Sequence, residues 1–175
     1  RFRFLFCGDE MDDWNTDETE GRRLVAALTI AGSDSGGNAG VQADLRAFHV
    51  FGLHGCTVFA ALTAQNPFGV SAILTPGADF VAAQLDAVLE AYDIGALKTG
   101  MLAAPEVIEA VADRLVCQSR IPKVVDPVMV ATSGAKLLQD DAIGLLKGRL
   151  LPLAALITPN LPETEVLLGR PVATA

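Results

Sequence analysis

From Leu24 onward, apolar runs of strand length alternate with segments of helical periodicity. The strand-like runs are VAALTIAG, GCTVFAALTAQ, VSAIL, IGALKTG, KVVDPVM and AALITPN. Most are nearly continuous in apolar residues, which is typical of parallel strands covered on both faces. VSAIL is expected to be a short extra strand.

Helical patterns separate these runs. They predict helices over Asn38–Phe51, over a segment capped by Asp79, over one with Pro105 in its first turn, over Asp140–Leu151, and over LPETEVLLG. The residues expected to face inward are Val41, Leu45 and Phe48, then Val81, Leu85, Val88, Leu89 and Tyr92, then Val107, Ile108, Val111 and Leu115. Alternating strands and helices predict an α/β fold, with a mostly parallel sheet covered by helices on both faces.

Residues 1–23 are different in character. They are rich in Asp and Glu and have little apolar periodicity, so we expect a disordered or mis-assigned tail. The alternative is that RFRFLF docks as a strand on a sheet edge. Residues 24–175 are expected to form one domain with a substantial core, since 51% of the sequence is hydrophobic.

Charge and cysteine content narrow the class of protein. A net charge of -8 argues against non-specific nucleic-acid binding, although main-chain N–H groups and a metal can still bind phosphate. Cys7, Cys56 and Cys117 are far apart and form no CxxC pair, which argues against zinc sites and disulfide frameworks. No apolar run is long enough to span a bilayer, and the start does not resemble a secretory signal. A cytoplasmic location is therefore expected.

Chemistry-bearing residues follow most of the predicted strands. The residues at the carboxyl ends of these strands are Ala31–Gly37, Gln65-Asn66, Lys98–Met101, Asp126-Pro127 and Thr158–Asn160, and Glu163 follows shortly after the last of them. In open α/β sheets, ligands bind at the carboxyl ends of the strands. Acids, amides and a lysine gathered at one edge favour a binding site there over purely structural turns.

Each of these groups has a simpler alternative. The glycine-rich stretch is neither a Walker A loop nor GxGxxG, so a tight turn and a ligand lid remain open. Asp126 could hold Mg²⁺ through water or cap a turn. Asn160 and Glu163 could organise a metal or phosphate, but a Glu in a first helical turn is often only dipole-stabilised.

Four further residues have two interpretations each. Gln65 ends an apolar run, so its amide should be half-buried and able to pair with a heterocycle edge. Asp44 lies in mid-helix, where a solvated acid is the simpler interpretation. Lys98 could meet phosphate or pair with an acid at the sheet edge. Met101 could belong to the core or contact a ligand.

Together these motifs resemble the hydroxymethylpyrimidine and phosphomethylpyrimidine kinases of thiamine biosynthesis, in the ribokinase-like superfamily. The matching strings are ALTIAGSDSGGNAGVQADL, ALTAQN, FVAAQLDAV, KTGML, VVDPVM with Ser133-Gly134, and LLPLAALITPNLPE. They run in family order from Leu24 to Gly169. Pyridoxal kinases share the fold and looser DPV and TPN motifs, but not the opening motif.

The resemblance implies a ribokinase-like fold and ATP-dependent phosphorylation of 4-amino-5-hydroxymethyl-2-methylpyrimidine and its monophosphate. It implies that Gln65 binds the ring and that Asp44 bonds the aminopyrimidine or its hydroxymethyl group. It further implies a pocket wall of Gly32, Ala39, Met101 and Val128, and Mg²⁺ and phosphates organised by Asp126 and Glu163 near Asn160. The expected partners are the pyrimidine and ATP, and neither nucleic acid nor a membrane is expected. The resemblance is also compatible with a homodimer.

The sequence also departs from the family pattern. Relatives have a later GTG segment, followed by an acid or cysteine, that forms an anion hole and carries the activating residue; this sequence lacks it. We therefore expect a C-terminally truncated kinase with no catalytic residue of its own and no turnover as it stands. Asn38 replaces a small residue of many relatives. The alternatives are a pyridoxal-type kinase and a non-catalytic pyrimidine-binding fragment.

Overall fold

The computed structural model describes residues 26–129 and 140–172. The predicted tail and the Ser133-Gly134 motif lie outside these ranges. The strands are β1 (Ala26–Asp34), β2 (His54–Asn66), β3 (Gly69–Leu74), β4 (Ile94–Thr99), β5 (Lys123–Val125) and β6 (Leu156–Ile157). The helices are α1 (Gly40–Val50), α2 (Ala78–Ala91), α3 (Pro105–Leu115), α4 (Asp140–Leu145) and α5 (Leu161–Leu168).

The described strands form one sheet in the order β3-β2-β1-β4-β5-β6. Every neighbouring pair is parallel except β2 and β3, which form an antiparallel hairpin. This confirms the predicted α/β fold with a mostly parallel sheet. It also confirms VSAIL as an extra strand, and the structure places this strand on the outer side of β2.

The main core lies between one face of the sheet and helices α2 and α3. Leu28 and Ile30 of β1 and Val58 of β2 have no exposed surface, and they belong to one apolar cluster with both helices. The predicted inward stripe of α3, Val107, Ile108, Val111 and Leu115, is fully buried. Complete burial of such a side chain contributes about 1.5–3 kcal/mol, so this face anchors the fold.

Helix α1 covers the opposite face less completely. Val41 is buried, whereas Leu45 and Phe48 are only half-buried. Because side chains alternate along a strand, this second face receives Thr29 and Lys98, both of which contact α1. The polar residues of β1 and β4 therefore lie under the helix that follows the glycine-rich loop.

Several predicted boundaries were wrong. Asp79 does not cap α2; Gly77 holds the N-cap position and Asp79 lies in the first turn. β5 ends at Val125 rather than Met129, and β6 has only two residues. Pro127 and Pro159 lack an N–H to donate to a strand ladder, which explains the early ends.

The predicted helix over Asp140–Leu151 is also divided. After α4 the chain widens into a π-helical turn, Leu146–Leu150, and then tightens into a 3₁₀ turn, Leu151–Leu153. Gly144 and Gly148 are poor helix formers and Pro152 cannot continue an α-helix, which accounts for the irregularity. Among the helices in the described ranges, none is long and apolar enough to cross a lipid bilayer.

Candidate functional site at the carboxyl edge of the sheet

The strand ends meet at one edge of the sheet, as predicted. The parallel register pairs Asp34 with Thr63 and Thr99 with Val125. The end of β2 therefore lies beside the loop that follows β1, and the segments that follow β4 and β5 start next to each other. The polar residues of these segments are brought together by strand pairing alone.

The loop between β1 and α1, residues 35–39, is built around a buried carboxylate. Asp34 is 4% exposed. One of its oxygens accepts a hydrogen bond from the Gly36 N–H at 2.8 Å, and the other accepts from Asn38 at 2.8 Å and Ala39 at 2.9 Å. We call residues 35–39 the Gly loop. Its path is fixed by these three bonds.

Two glycines allow the ends of the Gly loop to approach closely. Gly40 has φ +59°, and a Cβ there would lie 2.3 Å from the Gly32 carbonyl oxygen. A Cβ on Gly32 would lie 2.5 Å from Cε of Met101. Larger residues at either position would displace the backbone or the methionine. The structure thus brings together the predicted wall residues Gly32 and Met101, while Ala39 lies exposed at the end of the Gly loop.

Gln65 lies at the end of β2 and is half-buried, as expected from its position after an apolar run. The Ser35 hydroxyl accepts a hydrogen bond from the Gln65 N–H and donates one to the Gln65 carbonyl, both at 2.8 Å. The Thr63 hydroxyl donates to the Ser33 carbonyl at 2.8 Å and lies 3.3 Å from Oε1 of Gln65. Gln65 is therefore tied to the Gly loop side of the edge.

An apolar floor lies beside these polar groups. Met101 and Ala103 are buried together with Ala61 of β2, and Val128 packs against them. Met101 and Val128, both predicted as pocket residues, thus belong to one small cluster. Ala103 has φ 64°, the left-handed conformation that non-glycine residues rarely adopt. Such backbone strain is concentrated at functional sites in proteins generally.

A charged network links α1, β4 and the segment after β5. Nζ of Lys98 lies 3.1 and 3.2 Å from the two carboxylate oxygens of Asp44, and 3.7 Å from Oδ2 of Asp126. The Thr29 hydroxyl donates to Asp44 at 2.6 Å. Asp44 is thus not a solvated helix residue, and Lys98 pairs with acids at the sheet edge.

Asp126 carries an unfavourable charge in this setting. Burial raises the pKa of its carboxyl group, and the nearby carboxylates of Glu163 and Asp44 raise it further. Lys98 opposes these effects on the pKa but does not cancel them. A cation placed next to this carboxyl group would favour its ionised form.

Glu163 and Asn160 form the N-terminus of α5. Each side chain accepts a hydrogen bond from the other residue's main-chain N–H at 2.9 Å, which is a capping box. The second oxygen of Glu163 accepts from the Met129 N–H at 3.4 Å, and Glu163 is only 5% exposed. Both carboxylate oxygens of Glu163 thus already accept hydrogen bonds from main-chain N–H groups.

The two acids differ in how well they suit Mg²⁺. Mg²⁺ is commonly held by one or two carboxylates while it keeps several waters and contacts substrate phosphates. Half-buried Asp126 has this character, whereas each carboxylate oxygen of Glu163 is already bonded to a main-chain N–H group. Across residues 26–129 and 140–172, no group of three or more His, Cys, Asp or Glu is arranged to hold a metal by itself.

The sequence did not predict the individual contributions of three residues to the structure of this edge. Asp34, Ser35 and Thr63 all lie within motifs that attract attention, yet their hydrogen bonds depend on the conformation of the loop. A signal was available for Asp34, because an Asp before Ser-Gly-Gly favours a side-chain-to-backbone turn. For Ser35 and Thr63, the sequence contains no comparable signal.

Comparison with known proteins assigns most of the chain to one family. The sequence model of the phosphomethylpyrimidine kinase family matches residues 34–175. The hydroxymethylpyrimidine/phosphomethylpyrimidine kinase of Rhizobium meliloti is 52% identical over 149 residues, which cover 84% of this chain and 55% of that protein. The kinase of the same description from Escherichia coli is 50% identical over 151 residues, covering 86% and 57%. The chain thus spans just over half the length of these relatives.

Solved structures agree with this relationship. The phosphomethylpyrimidine kinase of Clostridium difficile 630 is 42% identical, with a TM-score of 0.80 over 86% of this chain and 65% of that one. Pyridoxal kinase of Bacillus subtilis, solved as an ADP complex, is 34% identical, with a TM-score of 0.77 over 87% and 56%. These similarities confirm the expected ribokinase-like fold.

Proposed function

The chain belongs to the phosphomethylpyrimidine kinase family, and from this premise we propose that the whole protein is an ATP-dependent kinase. It transfers a phosphoryl group from ATP to the hydroxymethyl oxygen of 4-amino-5-hydroxymethyl-2-methylpyrimidine. It then phosphorylates the monophosphate. The observation that carries the proposal is the meeting of the Gly loop, Gln65 and the Asp44–Lys98–Asp126 network at one edge of the sheet. The chain covers just over half of its relatives, so the proposal concerns the whole protein.

Ring binding is assigned to Gln65 and the apolar floor. A planar amide offers a donor and an acceptor side by side, which suits the edge of an aminopyrimidine. Gly32 and Met101 would face the ring, with Val128 and Ala39 completing the wall. A side chain at position 32 would displace the terminal methyl group of Met101, so glycine there lets the methionine keep its place in the wall.

Asp44 is proposed to bond the amino or hydroxymethyl group of the substrate. A carboxylate has about four acceptor positions, and Thr29 and Lys98 occupy three of them by the bonds described above. The remaining position is available to a ligand donor. Lys98 holds the carboxylate in place beside Asp126.

Asp126 is proposed to hold Mg²⁺, which would neutralise charge on the transferring phosphoryl group. Glu163 would contribute mainly by fixing the segment after β5 and by its negative charge. Asn160 uses its side-chain oxygen to cap α5, so its amide nitrogen is the group that would meet a phosphate oxygen. In phosphoryl transfer, such positioning and charge stabilisation supply most of the catalysis.

The substitution Gln65→Leu tests this function. Leucine keeps a similar volume but removes both hydrogen-bonding ends, and each unpaired ligand group in a buried site costs about 1–3 kcal/mol. In the natural full-length protein, we expect the KM for the pyrimidine to rise at least tenfold. The KM for ATP is the internal control and should stay within about twofold. An unchanged pyrimidine KM would contradict the assignment.

A pyridoxal-type kinase is the second candidate, favoured by the similarity to pyridoxal kinase in sequence and fold. Both substrates are substituted aza-aromatic rings with a hydroxymethyl group. Steady-state kcat/KM values for pyridoxal and for the hydroxymethylpyrimidine, measured on one preparation, separate the two candidates. Pyrimidine binding without ADP release would instead support a non-catalytic binding protein.

A further inference from the structure

We propose that Ser35 is a positioning residue for Gln65, and this inference rests on the proposed function. Its hydroxyl holds both main-chain polar groups of Gln65, the N–H and the carbonyl, at 2.8 Å. Through them it sets the direction in which the Gln65 amide leaves the strand.

Ser35 acts where regular strand pairing stops. The ladder between β1 and β2 ends with Asp34 opposite Thr63. Two residues further along β2, the main chain of Gln65 has no strand opposite it on the β1 side. The Ser35 hydroxyl replaces the missing partner, since it supplies one acceptor and one donor to the same residue.

The other side of Gln65 is irregular. The pairing of β2 with β3 shifts register between Ala64 and Gln65. The extra residue, Ser71, lies in β3, so the ladder on this side fixes the local direction of β2 less firmly than regular pairing does. The orientation of Gln65 therefore depends on Ser35 more than that of a residue in the middle of β2 would.

Ser35 can hold Gln65 firmly because its own position is fixed. Asp34 is buried and binds the N–H groups of Gly36, Asn38 and Ala39, so the backbone on both sides of Ser35 is anchored. The Thr63 hydroxyl adds a contact between the Ser33 carbonyl and the Gln65 side chain. The Gly loop and the end of β2 consequently form one connected unit.

The test compares three variants of the natural full-length protein. Ser35→Ala removes both bonds, and we expect the KM for the pyrimidine to rise about five- to tenfold, with kcat and the KM for ATP within about twofold of the parent. Ser35→Thr keeps the hydroxyl and should restore the KM. Ser71→Ala is the matched control, because the exposed Ser71 hydroxyl donates to the neighbouring Ala64 carbonyl from the β3 side and should leave the KM unchanged.

A second measurement does not depend on the substrate. Hydrogen exchange of the Gln65 main-chain amide should become faster in Ser35→Ala but not in Ser71→Ala. Faster exchange together with an unchanged pyrimidine KM would overturn the positioning role, as would a Thr variant as impaired as the Ala variant. If the unsubstituted protein neither binds nor phosphorylates the pyrimidine, the proposed function fails, and this inference fails with it.

Discussion

Two buried carboxylates lie at the same edge of the sheet and organise it in different ways. Asp34 and Glu163 are 4% and 5% exposed, and each accepts hydrogen bonds from main-chain N–H groups. All three donors to Asp34 lie within the next five residues of the chain. Glu163 instead joins its own helix start to Met129, which lies 34 residues earlier.

The difference teaches what each acid controls. Asp34 shapes a single loop, so its effects should be concentrated on the Gly loop and on the neighbouring residues that are proposed to bind the ring. Glu163 connects α5 with the segment after β5, so it acts where phosphate and Mg²⁺ are proposed to bind. One carboxylate gives a loop its conformation, and the other fixes two segments relative to each other.

The largest expected effect is that of Asp34→Ala. Three N–H groups would lose their acceptor in a partly buried loop, and we expect the free energy of unfolding to fall by roughly 2–4 kcal/mol. Urea denaturation measures this loss. Asp34→Asn, which keeps one acceptor oxygen, should lose less. A loss below about 0.5 kcal/mol in the alanine variant would show that the loop does not depend on Asp34.

Glu163→Ala should be milder, with a loss of about 1–2 kcal/mol, because one of its two bonds is long. The Glu163→Gln variant is the useful comparison with the Ala variant, because Gln also forms capping boxes. If Glu163 acts by capping, the Gln variant should recover most of the stability and keep kcat within about threefold. A Gln variant that is stable but has lost kcat by a hundredfold would indicate that the charge itself serves Mg²⁺.

Asp126→Asn should give the smallest change in stability, and in the opposite direction. Burial raises the pKa of Asp126 in the folded state, so the folded protein holds this proton more tightly than the unfolded chain does. Stability therefore falls as the pH rises through the folded pKa, and the ionised group is unfavourable at neutral pH.

Removing that charge should raise Tm slightly at pH 7, and the difference from the parent should shrink near pH 4. At the same time kcat should fall strongly if Asp126 holds Mg²⁺. Thermal melts at both pH values, together with one activity assay, check the prediction. A Tm that falls at pH 7 would mean that the bond to Lys98 outweighs the burial of the charge.

The sequence predicted the site at the level of strand ends. Gln65, Lys98 and Asp126 each follow an apolar run, and parallel pairing necessarily brings such positions to one edge. The core stripe of α3 was equally predictable, because helical spacing and burial agree at every position.

The details that depend on a particular backbone path could not be predicted. Asp34 and Ser35 act through loop amides and through the main chain of a distant strand. Glu163 had a recognisable signal, because Asn160 three residues earlier completes a capping box, but its bond to Met129 joins segments far apart in sequence. β5 and β6 were predicted too long because apolar composition outweighed their prolines.

The central position of β1 has a consequence for how the protein folds. β1 pairs with β2, its nearest neighbour in sequence, and with β4, which follows only after β3 and α2. Contacts that close short loops form earlier than those that close long ones. We expect pulse-labelled refolding to protect the amides of the β2–β3 hairpin first, and the bonds between β1 and β4 to form last. The β2 side of the site, which holds Gln65, would then be assembled before Lys98 is brought beside β1.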